Sequence, residues 1–526
     1  MFFDFEIYLP VVWLLVAAGL VMLIDLFSEE AERSRMFAFF SALGGVLLSF
    51  VSMNPYWDAP AREVMRGAML VDQFSTYLNV AILVGTTISM FASLSYVRRI
   101  GVNLADFLVT LLLAASGMLL LTTANDLIMV FLSIELLSFC VYVLTGMHGR
   151  SGRSAEAAMK YFIMGAFATG FMILGMASLY GVTGELQLRP IGEKLAQIYQ
   201  AHDGSDVMAT LGMGVILIAF AFKVGAVPFH SWVPDAYEGA PTTVTGFMAV
   251  AVKTAAFGAL IRLAVVTFPA SNPAIPHGFF GDLGFAGWAL WVLSAASMIF
   301  GNWFAISQRN VKRMLAYSSI AHSGYILMGL AAAGGGHGIA GGEVYAAILY
   351  YLLSYTLMTS GAFAMLVYAS SGGKDVESID DLRGLAWKKP AVGIGMAIFM
   401  FSMAGIPLTS GFMGKYFLFT ETIQAGGRYT TLAIIGICTS IVGAYYYLRV
   451  VAVTYFREPD DRPVAGREDW GLKFALALTV FGTLFLGVFP QGFYDAARDS
   501  VKGLRAEQAR PVADKPADPK AVAQKP

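Results

Sequence analysis

The sequence predicts an all-α polytopic membrane protein with about 14 transmembrane helices. Three observations predict it. Of 526 residues, 57% are hydrophobic and 13% charged, with a mean hydropathy of +0.65, where a soluble protein carries roughly a quarter charged residues. Apolar runs of about 18 residues or more, each cut by turn residues or charges, recur along the chain. Lys and Arg are also divided unequally between alternate loops. The net charge of -1 gives no hint of a nucleic-acid partner.

The first run, from about Tyr8 to Phe27, lacks a basic leading region and is long enough to span, so it reads as a membrane helix and not as a cleaved signal. With runs centred near Gly45 and Gly85 it makes three N-terminal helices within residues 1–100. Spans four to eight centre near Ala115, Leu136, Ala168, Ile216 and Val252, within 101–267. The stretch from Gly184 to Gln200 between them is too polar to span and is expected at the surface. Spans nine to thirteen centre near Leu293, Ile320, Leu357, Ala404 and Gly443, within 282–456. A last helix near Thr479 (470–490) precedes an Ala/Lys/Pro-rich polar tail (494–526), expected to be disordered.

Pro228 and Pro407 fall inside spans seven and twelve and should break them, since proline removes a backbone donor and clashes with the preceding turn. Broken helices five spans apart point to two repeats, and an odd offset makes the repeats inverted. Assigned alternately, the loops place sixteen Lys/Arg on one side and five on the other. The richer side is inside, so both termini face outward and the number of spans is even. The tail's seven Lys/Arg run against this, but acids balance them and the loops decide.

Four charged residues lie at membrane depth: Glu135, Lys223, Lys253 and Lys415. Such groups are costly there, and they usually face a protein interior or a water file and work in it. Glu135 sits near the middle of span five; its bland alternative is a carboxyl that merely joins helices. Lys223 precedes the Pro228 break, where freed backbone groups need protein or water partners. Lys253 is nine residues from Val244 and eight from Ile261, too deep to snorkel either way. Lys415 follows the Pro407 break. His322, in span ten, titrates near neutrality and could bridge Lys253 and Lys415, or it could be a hydrogen-bonded structural residue. His230, just after the first break, is a gate or a helix cap. Together these residues read as a relay for a small cation, most simply a proton. Desolvation disfavours an ammonium and a nearby carboxylate restores it, so movement of Glu135 toward or away from Lys223 would set whether that lysine holds its proton.

Two other features carry no chemistry. Gly336-His337-Gly338-Ile339-Ala340-Gly341 fits G-x-G-x-x-G but follows a membrane helix and not a strand, so no dinucleotide site is expected. Cys140 and Cys438 lie in separate apolar segments and are expected to be buried free thiols, with no metal site.

Several long strings also carry a family resemblance: Ala124-NDLIMVFLSIELLSFCVYVL, Glu156-AAMKYFIMGAFATG, Lys223-VGAVPFHSWVPDAYEGAPT, Val311-KRMLAYSSIAHSGY, Asp380-DLRGLAWKKP and Gly405-IPLTSGFMGKYFLF. From about Asp72 to Tyr455 the chain resembles the subunit N (chain 2 type) family of bacterial proton-pumping NADH:quinone oxidoreductase, respiratory complex I. The resemblance implies 14 helices with two inverted five-helix repeats. It makes Glu135 and Lys223 the coupling pair and Lys253 and Lys415 the rest of the channel. It further implies a place in the bacterial plasma (inner) membrane with both termini periplasmic, beside another antiporter-like subunit and small membrane subunits. No cofactor is expected on this chain; NADH, FMN, iron-sulfur clusters and quinone are expected in partner subunits.

The sister chain 4 type has a glutamate where Lys415 stands, and the chain 5 type continues into a long lateral helix, so both fit less well. Asp106 stands where subunit N usually has Glu, a departure outside the four relay positions. The main alternative is a subunit of a multi-subunit Mrp-type cation/proton antiporter, which shares the PFHSW-type motif. A membrane scaffold whose lysines only lock helices is the remaining one.

Overall fold

The computed structural model describes residues 8–28, 31–57, 59–201, 206–267, 285–334, 341–370, 375–459 and 469–508. Among them, 12 helices are long and apolar enough to cross a membrane, from Leu9–Phe27 to Trp470–Val488. Two further segments occupy expected span positions but fall short of that measure. Val311–Gly334 is 24 residues of helix carrying Lys312, Arg313, His322 and three serines. The other is the broken pair Pro390–Ala404 and Ser410–Gln424. Polarity in one and the proline in the other hide them from a simple hydropathy measure.

The helices form an inner and an outer set. Thr242–Thr267 is 100% buried over its apolar window and Gly342–Ala369 is 94% buried, whereas Gly152–Thr183 is 33% buried and shows its other faces outward. Lipid offers no hydrogen bonds, so polar side chains gather on the inner helices and Phe, Leu and Ile cover the outside. The two cysteines divide along that line. Cys140 is buried as expected, but Cys438 is exposed, on the outward face it shares with Ile434, Ile437 and Ile441. An apolar stretch in a membrane protein is as much lipid-facing surface as core, and composition does not separate them.

A small extramembrane layer covers one end. Strands Arg62–Val64 and Met69–Val71 pair antiparallel around a turn in which Met65, Arg66 and Gly67 all have positive φ. Asn125 joins this hairpin through its backbone N–H to Ala68 O (2.9 Å) and its side chain to Gly67 O (2.9 Å). The polar stretch after Gly184 forms the surface helix Leu188–Ala201, with Leu188, Ile191 and Leu195 turned inward.

The expected disordered tail from 494 is corrected over its first part. Gln491–Gln508 is a helix whose Tyr494, Ala497, Val501 and Leu504 are buried against Gly341–Ala369 and Gln73–Ser93. Their three- and four-residue spacing makes one apolar stripe on an otherwise charged helix, and average composition conceals it. Residues 336–340 of the Gly-rich string lie outside the described residues, and Gly341 opens the following helix.

Candidate functional site

The helix Leu127–Gly146 begins at Asp126, whose carboxylate accepts from Met129 N (2.5 Å). Two turns in, Glu135 and Ser138 lie one turn apart, and the helix packs against Gly152–Thr183. Glu135 is half-buried and accepts from Thr169 Oγ1 (2.7 Å). Lys223 is 3% exposed, and its Nζ donates to Ser138 Oγ (2.8 Å). No direct ion pair joins the carboxylate and the ammonium; a threonine and a serine take the two charged ends.

Lys223 ends the helix Val207–Val224. Gly225, at φ +72°, turns the chain, with Gly225 N on Phe222 O (3.0 Å) and Ala226 N on Ala221 O (2.8 Å), the paired closure of a Schellman cap. Pro228 has no N–H to give to Val224 O, four residues earlier. Buried backbone groups still need partners. The Ser323 hydroxyl takes Val224 O (2.7 Å), Ser297 Oγ receives Val227 N (2.9 Å), and Trp232 Nε1 reaches Phe222 O (3.0 Å).

Lys253 is 2% exposed, at the junction of the π-turn Met248–Val252 with the α-helix Lys253–Arg262. π-turns are frequent at functional sites. Its Nζ donates to Ser319 O (2.7 Å), Ser319 Oγ (2.5 Å) and Ser323 Oγ (2.8 Å). Three acceptors match the three N–H bonds of an ammonium, and no carboxylate pairs with it among the described residues. Ser319 Oγ also accepts from Tyr355 OH (2.9 Å) and lies 3.3 Å from Tyr237 OH.

His322, one residue before Ser323, is 2% exposed. Its Nδ1 lies 2.6 Å from Tyr351 OH and its Nε2 3.0 Å from Tyr447 OH, which in turn meets Ser318 Oγ at 2.5 Å. Asn302 then joins Tyr325 OH (3.1 Å) to Tyr446 OH (3.0 Å). Lys415, 6% exposed, stands over the Tyr325 ring at 5.3 Å and donates to Ser440 Oγ (2.8 Å), Met403 O (2.8 Å) and Ala404 O (3.1 Å).

The second break therefore repeats the first. Gly405, at φ +90°, closes Pro390–Ala404 with Gly405 N on Ser402 O (3.1 Å) and Ile406 N on Phe401 O (2.9 Å). Met403 is four residues before Pro407, so the carbonyl freed by that proline is the one Lys415 takes. Five of the six expected residues thus fall along one interior polar file. His230 stays off it. Its carbonyl accepts from Val233 N (2.9 Å), Ser231 holds the capping position of Trp232–Gly239, and its Nδ1 has no partner among the described residues.

Charge at membrane depth does not reveal the connecting groups Thr169, Ser138, Ser319, Ser323, Tyr351, Tyr355 and Tyr447. A weak signal exists: Ser319, His322 and Ser323 recur at three- and four-residue spacing on one face of Val311–Gly334. A buried ion pair also escapes that reading. Arg262 binds Asp72 with two contacts of 2.9 Å, both side chains 1% exposed, because each residue sits at the end of an apolar run and looks like an interfacial charge.

The profile of the family described as "NADH:quinone oxidoreductase/Mrp antiporter, TM" matches residues 124–443, which include Glu135, Lys223, Lys253, His322 and Lys415. The chain is 37% identical to NADH-quinone oxidoreductase subunit N of Trichlorobacter lovleyi over 95% of its own length and 97% of the relative's. It is 39% identical to subunit N 2 of Roseiflexus castenholzii over 92% and 94% of the two.

The chain belongs to the NADH-quinone oxidoreductase subunit N family.

Among solved structures, a chain of respiratory complex I from Thermus thermophilus superposes with a TM-score of 0.75 at 31% identity, covering 93% of this chain and 99% of that one. A chain of the Mrp complex from a Dietzia species has a TM-score of 0.78 at 21% identity over 95% and 98%, which is likeness of fold. The subunit N family membership accounts for the antiporter-like membrane fold.

Proposed function

We propose that protons cross this subunit through Glu135, Lys223, Lys253, His322 and Lys415, handed on by the hydroxyls between them. The chain is a membrane-arm, proton-translocating subunit of NADH:quinone oxidoreductase, complex I, and a translocase component. The observation that carries the residue assignment is the environment of Lys253. A fully buried ammonium with three oxygen acceptors and no counter-ion has neighbours on both sides, and a scaffold lysine has no need of them. Lys253 and Lys415 sit in full cages, whereas Lys223 has one hydroxyl and a distant carboxylate. Lys223 is thus the station whose charge depends most on Glu135, the coupling element. His230 is the weakest member and stands as a group beside the break.

The finer organisation follows the same reading. The 12 spans, with Val311–Gly334 and the Pro407-broken pair, make 14. Residues 1–100 supply three helices, 101–267 and 282–456 two inverted five-helix repeats and 470–490 a last membrane helix, followed by the packed helix Gln491–Gln508 and a polar tail. The equivalent Schellman-capped, proline-broken helices seven and twelve support this division. The subunit sits in the bacterial plasma membrane with both termini periplasmic, beside another antiporter-like subunit and small membrane subunits. NADH, FMN, iron-sulfur clusters and quinone belong to partners, and this chain holds none.

The test is Lys253→Ala in closed membrane vesicles, following NADH-to-quinone electron flow and proton uptake together. Intact complex with pumping and coupled electron flow sharply reduced supports the path. Normal rates of both in intact complex overturn it.

A further inference from the structure

The two proline-freed carbonyls are satisfied from different places. At the second break, Lys415 of the following half-helix takes Met403 O, so that break closes upon itself. At the first, the partners of Val224 O and Val227 N are Ser323 and Ser297, which stand on Val311–Gly334 and Phe285–Ser307 in the second half of the chain. Ser323 is also one of the three acceptors around Lys253. A single hydroxyl therefore touches both the central lysine and the end of the helix that carries Lys223.

A hydroxyl has one proton and two acceptor lone pairs. When Lys253 is an ammonium it donates to Ser323 Oγ, and the serine proton is directed to a carbonyl; Val224 O at 2.7 Å is nearer than Ser319 O at 3.1 Å. When Lys253 has given its proton away, its nitrogen gains a lone pair that either serine hydroxyl of the cage can meet, Ser319 Oγ at 2.5 Å, which otherwise faces Tyr237 OH, or Ser323 Oγ. Ser319 O has no hydrogen to offer it. The Ser323 hydroxyl, 2.8 Å away, can turn to donate to that nitrogen, and Val224 O then loses its partner with no helical N–H to replace it.

We propose that Ser323 is a positioning residue that ties the proton occupancy of Lys253 to the Pro228 break in the Lys223 helix. Loaded Lys253 locks the break through Ser323 and Val224 O; empty Lys253 unlocks it and frees the Lys223 end to shift relative to Ser138 and Glu135. The only bond changes are hydrogen bonds, and the one proton leaving Lys253 passes along the file. At the Pro407 break Lys415 itself takes the freed carbonyl, so Ser323 couples the central lysine to the Lys223 side and not to the Lys415 side. This inference rests on the proton path proposed above.

The experiment uses the intact complex in closed vesicles with three variants, Lys253→Ala, Ser323→Ala and Ser323→Thr. It reads protons pumped per electron pair, complex content, and hydrogen–deuterium exchange in a peptide spanning residues 221–232. Ser323→Ala is expected to assemble, to lose most pumping, and to raise exchange in that peptide roughly three- to tenfold, the size of one net hydrogen bond. Ser323→Thr restores a hydroxyl and should restore both. Lys253→Ala should lose pumping but keep the peptide protected, because the serine then has only carbonyls to serve. If Ser323→Ala fails to assemble, Ser323→Cys, near in size and a weak donor, carries the same test. Wild-type pumping in Ser323→Ala, or lost pumping with unchanged exchange, overturns the tie while leaving the path standing. Normal pumping in Lys253→Ala overturns the path itself.

Discussion

At the residue scale, what distinguishes the buried charges is how completely each is satisfied. Arg262 and Asp72 form a closed two-contact pair, with Arg262 Nε also on Thr122 O at 3.2 Å. Removing one partner of such a pair strands a buried charge at about 3–5 kcal/mol, while replacing both by apolar residues is often neutral. Asp72→Ala should therefore sharply reduce subunit content on immunoblots, and Asp72→Leu combined with Arg262→Met should recover much of it. A double variant as depleted as the single one would give the pair a role beyond packing. His322 differs, because both ring nitrogens face tyrosine hydroxyls. His322→Phe keeps the volume and removes the proton-carrying atoms. It is expected to leave assembly intact and to slow coupled pumping by at least about tenfold, within the usual range for a lost acid–base group; unchanged pumping would make the histidine a space-filler.

At the element scale, the two broken helices owe their form to glycine and proline acting together. Gly225 and Gly405 adopt φ values of +72° and +90°, where a side chain is strained. A Cβ at Gly405 would also approach Lys415 Cδ to 3.1 Å and Nζ to 3.5 Å. Gly405→Ala should cost about 1–2 kcal/mol of stability and, by crowding the lysine cage, lower pumping more than complex content. Equal falls in the two would reduce its effect to folding alone. The helix Gln491–Gln508 behaves as a clasp. Its buried Tyr494, Ala497, Val501 and Leu504 hold the end of Gly341–Ala369, where Arg498 pairs with Glu343 at 2.5 Å.

At the scale of the whole molecule, ion pairs across the two halves collect at the end predicted to be cytoplasmic. Arg313 of the second half bonds Asp235 (2.7 Å) and Glu238 (2.9 Å) of the first, and Asp235 also meets Lys160 (3.1 Å). Nearby, Tyr96 donates to Asp375 at 2.5 Å, and Thr242 and Arg99 reach the same carboxylate. The predicted orientation is testable by labelling. A cysteine at Lys502 should react with an impermeant maleimide from the periplasmic side, and one at Arg457 only after permeabilisation. The reverse pattern would invert the assigned topology.

Much of this was legible in the chain. Glu135, Lys223, Lys253 and Lys415 announce themselves because charge at membrane depth is costly enough to need a reason, and Pro228 and Pro407 mark the breaks because a missing N–H is a property of the residue alone. Serine and tyrosine carry no such mark, since in a helix a hydroxyl can bond its own preceding turn at little cost, as Thr145 and Ser178 do here. Which hydroxyls turn to a lysine depends on which helix faces it. Only the tertiary structure decided that Ser323 of one half meets both Val224 O and Lys253 of the other, and that Cys438 faces outward while Cys140 does not. The sequence by itself determined where charge and backbone breaks fall; their partners come from residues 70 or 99 positions away, set by helix packing that no local pattern encodes.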